Sequence, residues 1–364
     1  MIPTQHNKLD LNLAAYLNQE MLPRLFKDMK DNDWEMTPYV YARTTPDEGI
    51  AGFLDLPRYS SGYAALHNAI SFMPETHMLK PFHARVESTY TFMDVMIKLV
   101  HDDFNKIKIA RDKAIENTKS KKEFDLNWTL DSKKSDKIMF KGFTAKKKPS
   151  VISGKERLYY DRNEPYEKEI KHFNYYSTTT SVTKPIAYII PQGYVEIIER
   201  LNWNNIQVQQ LEKDEIFEVE LYRIKDFETR KQPYEGHYLH SSVEVEKFSQ
   251  QRTYKKGDYI VYVNQASNRY IVETLEPTAP DSYFAWNFFD GILQQKEYFS
   301  SYVFEDLAVE ILNNNPDLKN EFEEKKKSDP DFAKNARAQL DFIYKNSPHY
   351  EPTHRIYPVG RLMK

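Results

Sequence analysis

Apolar residues at helical spacing mark two long stretches in the first third of the chain. From Leu13 to Met29 they recur every three or four residues, which predicts one face of an amphipathic helix, and Pro23 predicts a kink inside it. From His83 to about Asn117 the same spacing predicts a long helix that packs along one side. The apolar positions of this second stretch are Val86, Tyr90, Met93, Ile97, Val100, Phe104 and Ile107.

A strand and a carboxylate are predicted between these two helices. Segment 33–58 has the pattern of strand and loop. Residues 69–73 then predict a short buried strand that leads through Pro74 into Glu75. A carboxylate held at the end of a buried strand is partly desolvated, which raises its pKa and suits a general base.

The middle of the chain is predicted to be β-rich. Lysine clusters interrupt weak strands there, and we interpret them as solvated edge-strand charges rather than as a basic patch. Residues 184–211 predict a compact βαβ unit whose helix carries Val195, Ile198 and Leu201 on one face. The lysine clusters are at 121–122, 133–134 and 146–148, and further strands are predicted at 217–221, 243–245 and 259–263.

These patterns divide the chain into three predicted regions. Residues 1–118 combine helices with short strands, and residues 119–265 form a β-rich domain. Residues 266–364 are mostly helical and rich in aromatic side chains.

Charge and composition limit which functions and partners the sequence supports. The 51 Lys and Arg residues nearly balance the 54 Asp and Glu residues, so the overall charge does not favour nucleic acid or an anionic membrane as partner. The chain has no cysteine, which excludes disulfides and thiol catalysis. No apolar run approaches the roughly 20 residues that span a bilayer. The sequence MIPTQHNKLD lacks the pattern of a signal peptide, and localisation stays open.

The ten histidines do not show the spacing of a zinc site. A helical His-x-x-Glu or His-Glu-x-x-His would aim two ligands at one ion, and neither occurs. His83 and Glu87 have (i, i+4) spacing but no third partner. His237 and His240 lie in strand-like sequence, where their spacing points the side chains to different faces.

Two blocks near the N-terminus carry a family resemblance. They are 53–63 (FLDLPRYSSGY) and 74–82 (PETHMLKPF). Both closely resemble a bacterial group of the carboxypeptidase A-like zinc metallopeptidases. Segments 275–290, 295–299 and 350–354 look like the tail region of the same group.

The resemblance implies a fold and a reaction. The implied fold class is α/β: the C-terminal part of a carboxypeptidase-like mixed sheet with flanking helices, followed by a β-rich α+β accessory region and a helical tail. In the implied reaction, zinc polarises the scissile carbonyl of a peptide and activates a water, while a Glu takes its proton. By position Glu75 matches the general base. Tyr59 is the candidate for the mobile tyrosine, Tyr63 is the second choice, and Arg58 is a candidate for binding the substrate carboxylate.

The sequence departs from this family at the metal. Only His6 and His67 precede Glu75, and none of the three zinc ligands can be placed. We therefore expect that this chain alone binds no zinc and does not hydrolyse peptides. Either Met1 is an internal methionine of a longer, exported enzyme, or the chain is a non-catalytic remnant. A sheet without its first strands would expose apolar surface, which predicts a homo-oligomer.

A binding module is the alternative to an enzyme. The β-rich region 119–265 contains many Tyr residues and could bind a peptide or a glycan on a degenerate peptidase scaffold. Exposed aromatic side chains clustered on one sheet face would support this hypothesis, whereas aromatic side chains buried in the core would count against it. A structural accessory role is a third hypothesis.

Overall fold

The chain is a mixed α/β protein with several separate sheets. A computed structural model describes residues 1–42, 44–295 and 297–364, so Lys296, within the 295–299 block, lies outside the described residues. None of the described helices is long and apolar enough to span a membrane. The helices are α1 (Leu11–Tyr16), α2 (Leu22–Asp31), α3 (Ser60–Leu66), α4 (Phe82–Asp102), α5 (Phe104–Ser120), α6 (Val195–Trp203), α7 (Asn268–Leu275), α8 (Ser301–Asn314), α9 (Pro316–Ser328), α10 (Pro330–Lys334) and α11 (Ala336–Lys345).

The strands form four sheets among the described residues. One has six strands in the order β10-β13-β9-β14-β11-β12, and a second has four in the order β2-β3-β7-β6. The pairs β1-β4 and β5-β8 make up the other two. The strands are β1 (Ile2–Pro3), β2 (Tyr41–Ala42), β3 (Ile50–Ala51), β4 (Phe72–Met73), β5 (Glu123–Leu130), β6 (Asp136–Pro149), β7 (Glu156–Phe173), β8 (Tyr176–Thr183), β9 (Ala187–Ile190), β10 (Gln209–Gln210), β11 (Glu215–Thr229), β12 (His240–Tyr254), β13 (Tyr259–Tyr262) and β14 (Gly360–Leu362).

The six-stranded sheet is antiparallel and takes an inner strand from the far end of the sequence. β14 pairs with β9 on one side and with β11 on the other. Its Arg361 is buried, and Nε forms an ion pair with Oε1 of Glu276 at 2.9 Å. The carboxylate of Glu276 accepts hydrogen bonds from Tyr188 and Tyr222 at 2.6 and 2.7 Å. A buried cation without such partners would be very costly, so this network fixes β14 inside the sheet.

The first predicted helix is present but interrupted. A single turn of π-helix, Leu17–Met21, separates α1 from α2, and Pro23 lies in the first turn of α2. Proline is tolerated there because the first N–H groups of a helix have no intrahelical partner. The predicted face is buried as expected, since Leu13, Leu17, Met21, Leu25 and Met29 all belong to one core cluster.

Two expectations for the next segments are wrong. The predicted buried strand at 69–73 is reduced to β4, whose two residues are half-buried and pair only with β1 among the described strands. The predicted long helix is divided at Asp103 into α4 and α5, and its predicted packing face is exposed except at Ile107, which packs against a core cluster. Instead Phe92, Val95 and Leu99 bury the opposite side of α4.

The predicted βαβ unit is present in a split form. β9 and α6 follow one another as expected, but the second strand is reduced to β10. Both β9 and β10 pair antiparallel with β13, which therefore lies between them. The helix buries Ile197, Ile198 and Leu201, whereas Val195 is exposed.

The largest core cluster draws on all three predicted regions. It contains Leu66 from α3, Phe124 from β5, and Ile271 and Phe284 from the C-terminal part of the chain. A separate cluster holds α8, α9, α10 and α11 together. The three-region division of the sequence stays a prediction.

Candidate functional site

Arg58 is held firmly just before α3. Its backbone N–H and its Nε donate to the two carboxylate oxygens of Asp281 at 2.9 and 2.8 Å. The rings of Tyr234 and Trp286 each lie 5.4 Å from the guanidinium carbon. The cation therefore already has a buried carboxylate as partner within the chain, and its role in binding a substrate stays a prediction.

Of the two predicted tyrosines, Tyr59 lies just before α3 and Tyr63 lies in the middle of this helix. The ring of Tyr59 packs edge-on against Phe53 with centroids 5.2 Å apart. Tyr63 is 45 % exposed and its hydroxyl donates to Oδ1 of Asn204 at 2.5 Å. The Nε2 atom of His67 lies 3.1 Å from the same Asn204 oxygen. The structure thus gathers the tyrosines around α3, but it does not test whether either moves over a substrate.

Glu75 lies apart from the other three predicted residues. It is exposed on the loop after β4, beside a cavity of about 130 Å³ that Met1, Trp34 and Lys80 also line. Burial lowers the pKa of the N-terminal ammonium, and the negative charge of Glu75 partly offsets this shift. The burial expected for Glu75 is therefore not found, and its role as a general base stays a prediction.

The histidines considered as metal ligands are dispersed. His240 is buried, with its ring nitrogens 2.9 Å from the hydroxyl of Thr229 and 2.9 Å from Oδ1 of Asp290. His237 packs edge-on against Trp286. Within the described part of the chain, no group of three His, Cys, Asp or Glu side chains could hold a metal ion. These residues therefore do not fit the zinc that the family resemblance implies.

An open cleft runs between α2 and β6, and we name it the α2–β6 cleft. Its volume is about 830 Å³, within the range of ligand sites in proteins. We call Leu22, Phe26, Ile138 and Met139 its apolar wall, and the charged residues Lys27, Lys30 and Glu35 also line the cleft. We call another polar group its polar end, which consists of His6, Asn18, Asp136, His172, Asn174 and Tyr175.

Two imidazoles and one carboxylate share the polar end of this cleft. Burial lowers the pKa of His6 and that of His172, while the charge of Asp136 opposes both shifts. The hydroxyl of Tyr175 donates to Oδ1 of Asp136 at 2.8 Å, and the ring of Tyr175 meets that of His6 edge-on. Neutral imidazoles both donate and accept hydrogen bonds, so this end can bind polar groups of either kind.

Asn174 reaches the cleft because a glycine leaves room for it. Its Oδ1 accepts from Nε2 of Gln5 at 2.8 Å. A Cβ atom at Gly52 would lie only 2.0 Å from that same oxygen. Any larger residue at position 52 would therefore displace the amide from the cleft.

Comparisons with protein-family models, curated proteins and solved structures gave no match. The function of this chain must therefore be inferred from the side chains that line the α2–β6 cleft. His6 was among the candidates from the sequence, but Asp136, His172 and Tyr175 were not. They come from β6, β7 and the turn after β7, and only the run His172–Tyr176 (HFNYY) could have drawn attention to this segment.

A second open cleft of about 610 Å³ lies beside α6. Tyr194, His237, Trp286 and Phe288 contribute its aromatic surface. Region 119–265 has aromatic side chains both in the cores and at the surface, so the glycan-binding alternative stays a prediction. The buried ones are Phe124, Trp128, Phe140, Tyr188, Tyr222 and Tyr254, and exposed ones include Phe143, Tyr160, Trp203, Tyr238 and Tyr262.

Proposed function

We propose that this chain is a peptide-binding protein on a scaffold similar to the carboxypeptidase A-like zinc peptidases, and that alone it does not hydrolyse peptides. The proposed correspondence places residues 1–118 in the C-terminal part of a carboxypeptidase-like domain. It rests on the blocks 53–63 and 74–82, which form the approach to α3 and the loop between β4 and α4. The α2–β6 cleft is the observation that carries the binding function.

The lining of the cleft suits a peptide. Leu22, Phe26 and Met139 offer apolar surface for side chains, while Asn18 and Asn174 present amides that can donate to and accept from a peptide backbone. A glycan site would show more aromatic surface for stacking, whereas the aromatic residues in this lining are Phe26 and Tyr175.

An open strand edge adds to this argument. β6 lies at the end of the four-stranded sheet and pairs with β7 along its length, but with no other described strand. Its outer N–H and C=O groups can therefore pair with an extended chain, as in β-strand addition. Residues of β6 also line the cleft, so an added peptide strand could place alternate side chains against the apolar wall.

Binding to a peptide library, followed by titration calorimetry on the best peptide, tests the proposal. Met139→Asp places a charge on the apolar wall and should weaken binding by about tenfold or more, equivalent to about 1.4 kcal/mol. Ile216→Asp is the matched control, because Ile216 is 69 % exposed on β11, Met139 is 63 % exposed, and Ile216 does not line the cleft. A library without any binder, or equal losses in both variants, would overturn the proposal.

Hydrolysis is tested on the same peptides with added zinc. We expect no release of C-terminal amino acids from wild type or from Glu75→Gln. Release by wild type that disappears in Glu75→Gln would show a working carboxypeptidase and remove the non-hydrolytic part of the proposal.

A further inference from the structure

Helix α4 carries an exposed apolar stripe on the side that faces away from the core. The α4 stripe consists of six residues that are each 42–75 % exposed: Val86, Tyr90, Met93, Ile97, Val100 and Phe104. Phe104 is the first residue of α5, and the other five belong to α4. At about 100° per residue, the stripe lies roughly 140° around the helix from the buried face formed by Phe92, Val95 and Leu99.

The intervals between the residues of the α4 stripe are the same whether they are counted from its N-terminal or its C-terminal end. Successive members are separated by four, three, four, three and four residues. An antiparallel copy of the stripe centred on Val95 therefore places every member opposite another member. The facing pairs would be Val86 with Phe104, Tyr90 with Val100, and Met93 with Ile97.

We propose that a second copy of this chain binds here, with the two α4 helices antiparallel around a two-fold axis near Val95. In this register a small Val faces a large aromatic ring in both outer layers, and the two middle-sized residues share the central layer. Alternating large and small residues fill a helix–helix interface evenly. A parallel pair would instead place Tyr90 on Tyr90 and Val100 on Val100, which crowds one layer and leaves a gap in the next.

The area of the stripe is sufficient for a stable dimer. With roughly 150–250 Å² for a large side chain, the exposed fractions amount to roughly 650 Å² per chain. Two chains would then bury at most about 1,300 Å², which lies within the roughly 1,200–2,000 Å² of specific interfaces. The same surface patch serves both partners, as a two-fold interface requires.

The charges beside the stripe favour a protein partner over a membrane. Glu87 and Asp94 lie along one flank, at about 80–100° from the centre of the stripe, and Lys98 on the same flank pairs with Asp94 at 2.7 Å. Arg85 lies on the other flank, so the charges of α4 beside the stripe balance. Helices that lie on anionic membranes carry an excess of Lys and Arg beside their apolar face, which this stripe lacks.

Light scattering over a range of concentrations tests the dimer. Wild type should show twice the 43.2 kDa mass of one chain, and the double variant Met93→Asp/Ile97→Asp should show the mass of one chain while it keeps the circular dichroism spectrum of the folded wild type. The control is Val151→Asp/Ile152→Asp, which removes two apolar side chains that are 99 % and 93 % exposed elsewhere. A monomeric wild type, including one that sediments with anionic vesicles, or a dimer lost only in the control, would overturn the proposal.

Cross-linking tests the direction of the helices without interference, because the chain has no cysteine of its own. Co-expressed Tyr90→Cys and Val100→Cys chains should form a disulfide with each other under mild oxidation. Tyr90→Cys alone should not, since its two copies would lie about 15 Å apart along the antiparallel helices, beyond the reach of a disulfide. A disulfide in Tyr90→Cys alone would contradict the antiparallel register.

Discussion

At the scale of single residues, the polar end of the α2–β6 cleft depends on residues that are distant in sequence. His6 comes from the N-terminus, whereas Asp136 and His172 come from the hairpin β6–β7. Each histidine is partly buried, and burial lowers its pKa below the usual 6.5. The sequence contains all three residues but no local pattern that joins them, so only the fold could reveal the group.

The sign of this shift predicts how stability changes with pH. An imidazole with a lower pKa in the folded chain binds its proton more readily when unfolded, so falling pH favours unfolding. The stability contribution is full above pH 6.5, the ordinary value, and is lost as pH falls below it. His172→Gln should therefore reduce the loss of unfolding free energy between pH 7.5 and 5.5, measured by denaturant titration.

The control for this prediction is His349→Gln, because the side chain of His349 is exposed. It should leave the pH dependence of wild type unchanged. Comparing wild type with His172→Gln also isolates the contribution of His172 to the pH dependence from that of other groups. One of these is Glu276, whose pKa is raised to about 7 by burial. Equal pH slopes for wild type and His172→Gln would contradict the prediction.

At the scale of helices and strands, the spacing of apolar residues predicted where elements lie better than it predicted which elements pack together. The amphipathic stretch 13–29 and the strands near 217–221 and 259–263 are found, because three-to-four and two-residue periods are set by the backbone itself. The exposed stripe of α4 was misjudged, because periodicity identifies an apolar face but not what covers it. The run 69–73 failed as a buried strand for the same reason, since burial depends on neighbours that its sequence does not specify.

The ion pair between Arg58 and Asp281 shows how distant elements are joined. It connects the start of α3 to the segment after α7, and both side chains are largely buried. Asp281→Asn would leave the guanidinium without its counter-charge and should lower the free energy of unfolding by about 3 kcal/mol or more. The surface pair of Asp94 and Lys98 is the control, because Asp94→Asn should change it by less than about 1 kcal/mol. Similar losses in both variants, measured by denaturant unfolding, would refute the assignment.

At the scale of the whole molecule, zinc binding distinguishes the hypothesis of a zinc-dependent carboxypeptidase from that of a peptide-binding protein. His6 and His172 share the polar end of the α2–β6 cleft with Asp136, but among the described residues no three His, Cys, Asp or Glu side chains form a group that could hold a metal ion. After incubation with zinc and extensive dialysis, plasma mass spectrometry should find well below one zinc per chain. About one zinc per chain would contradict this, and the first residues to substitute would then be His6, His67, His237 and His240.

The position of β14 also has a consequence for how the protein folds during synthesis. The inner strand of the six-stranded sheet is encoded about 100 residues after β13, and strand pairs so distant in sequence form slowly. Until residues 360–362 have been translated, β9 and β11 lack the strand between them, and each exposes an unpaired edge. The nascent chain therefore passes through a long interval in which half-formed sheets can aggregate, and a holding chaperone would act in that interval.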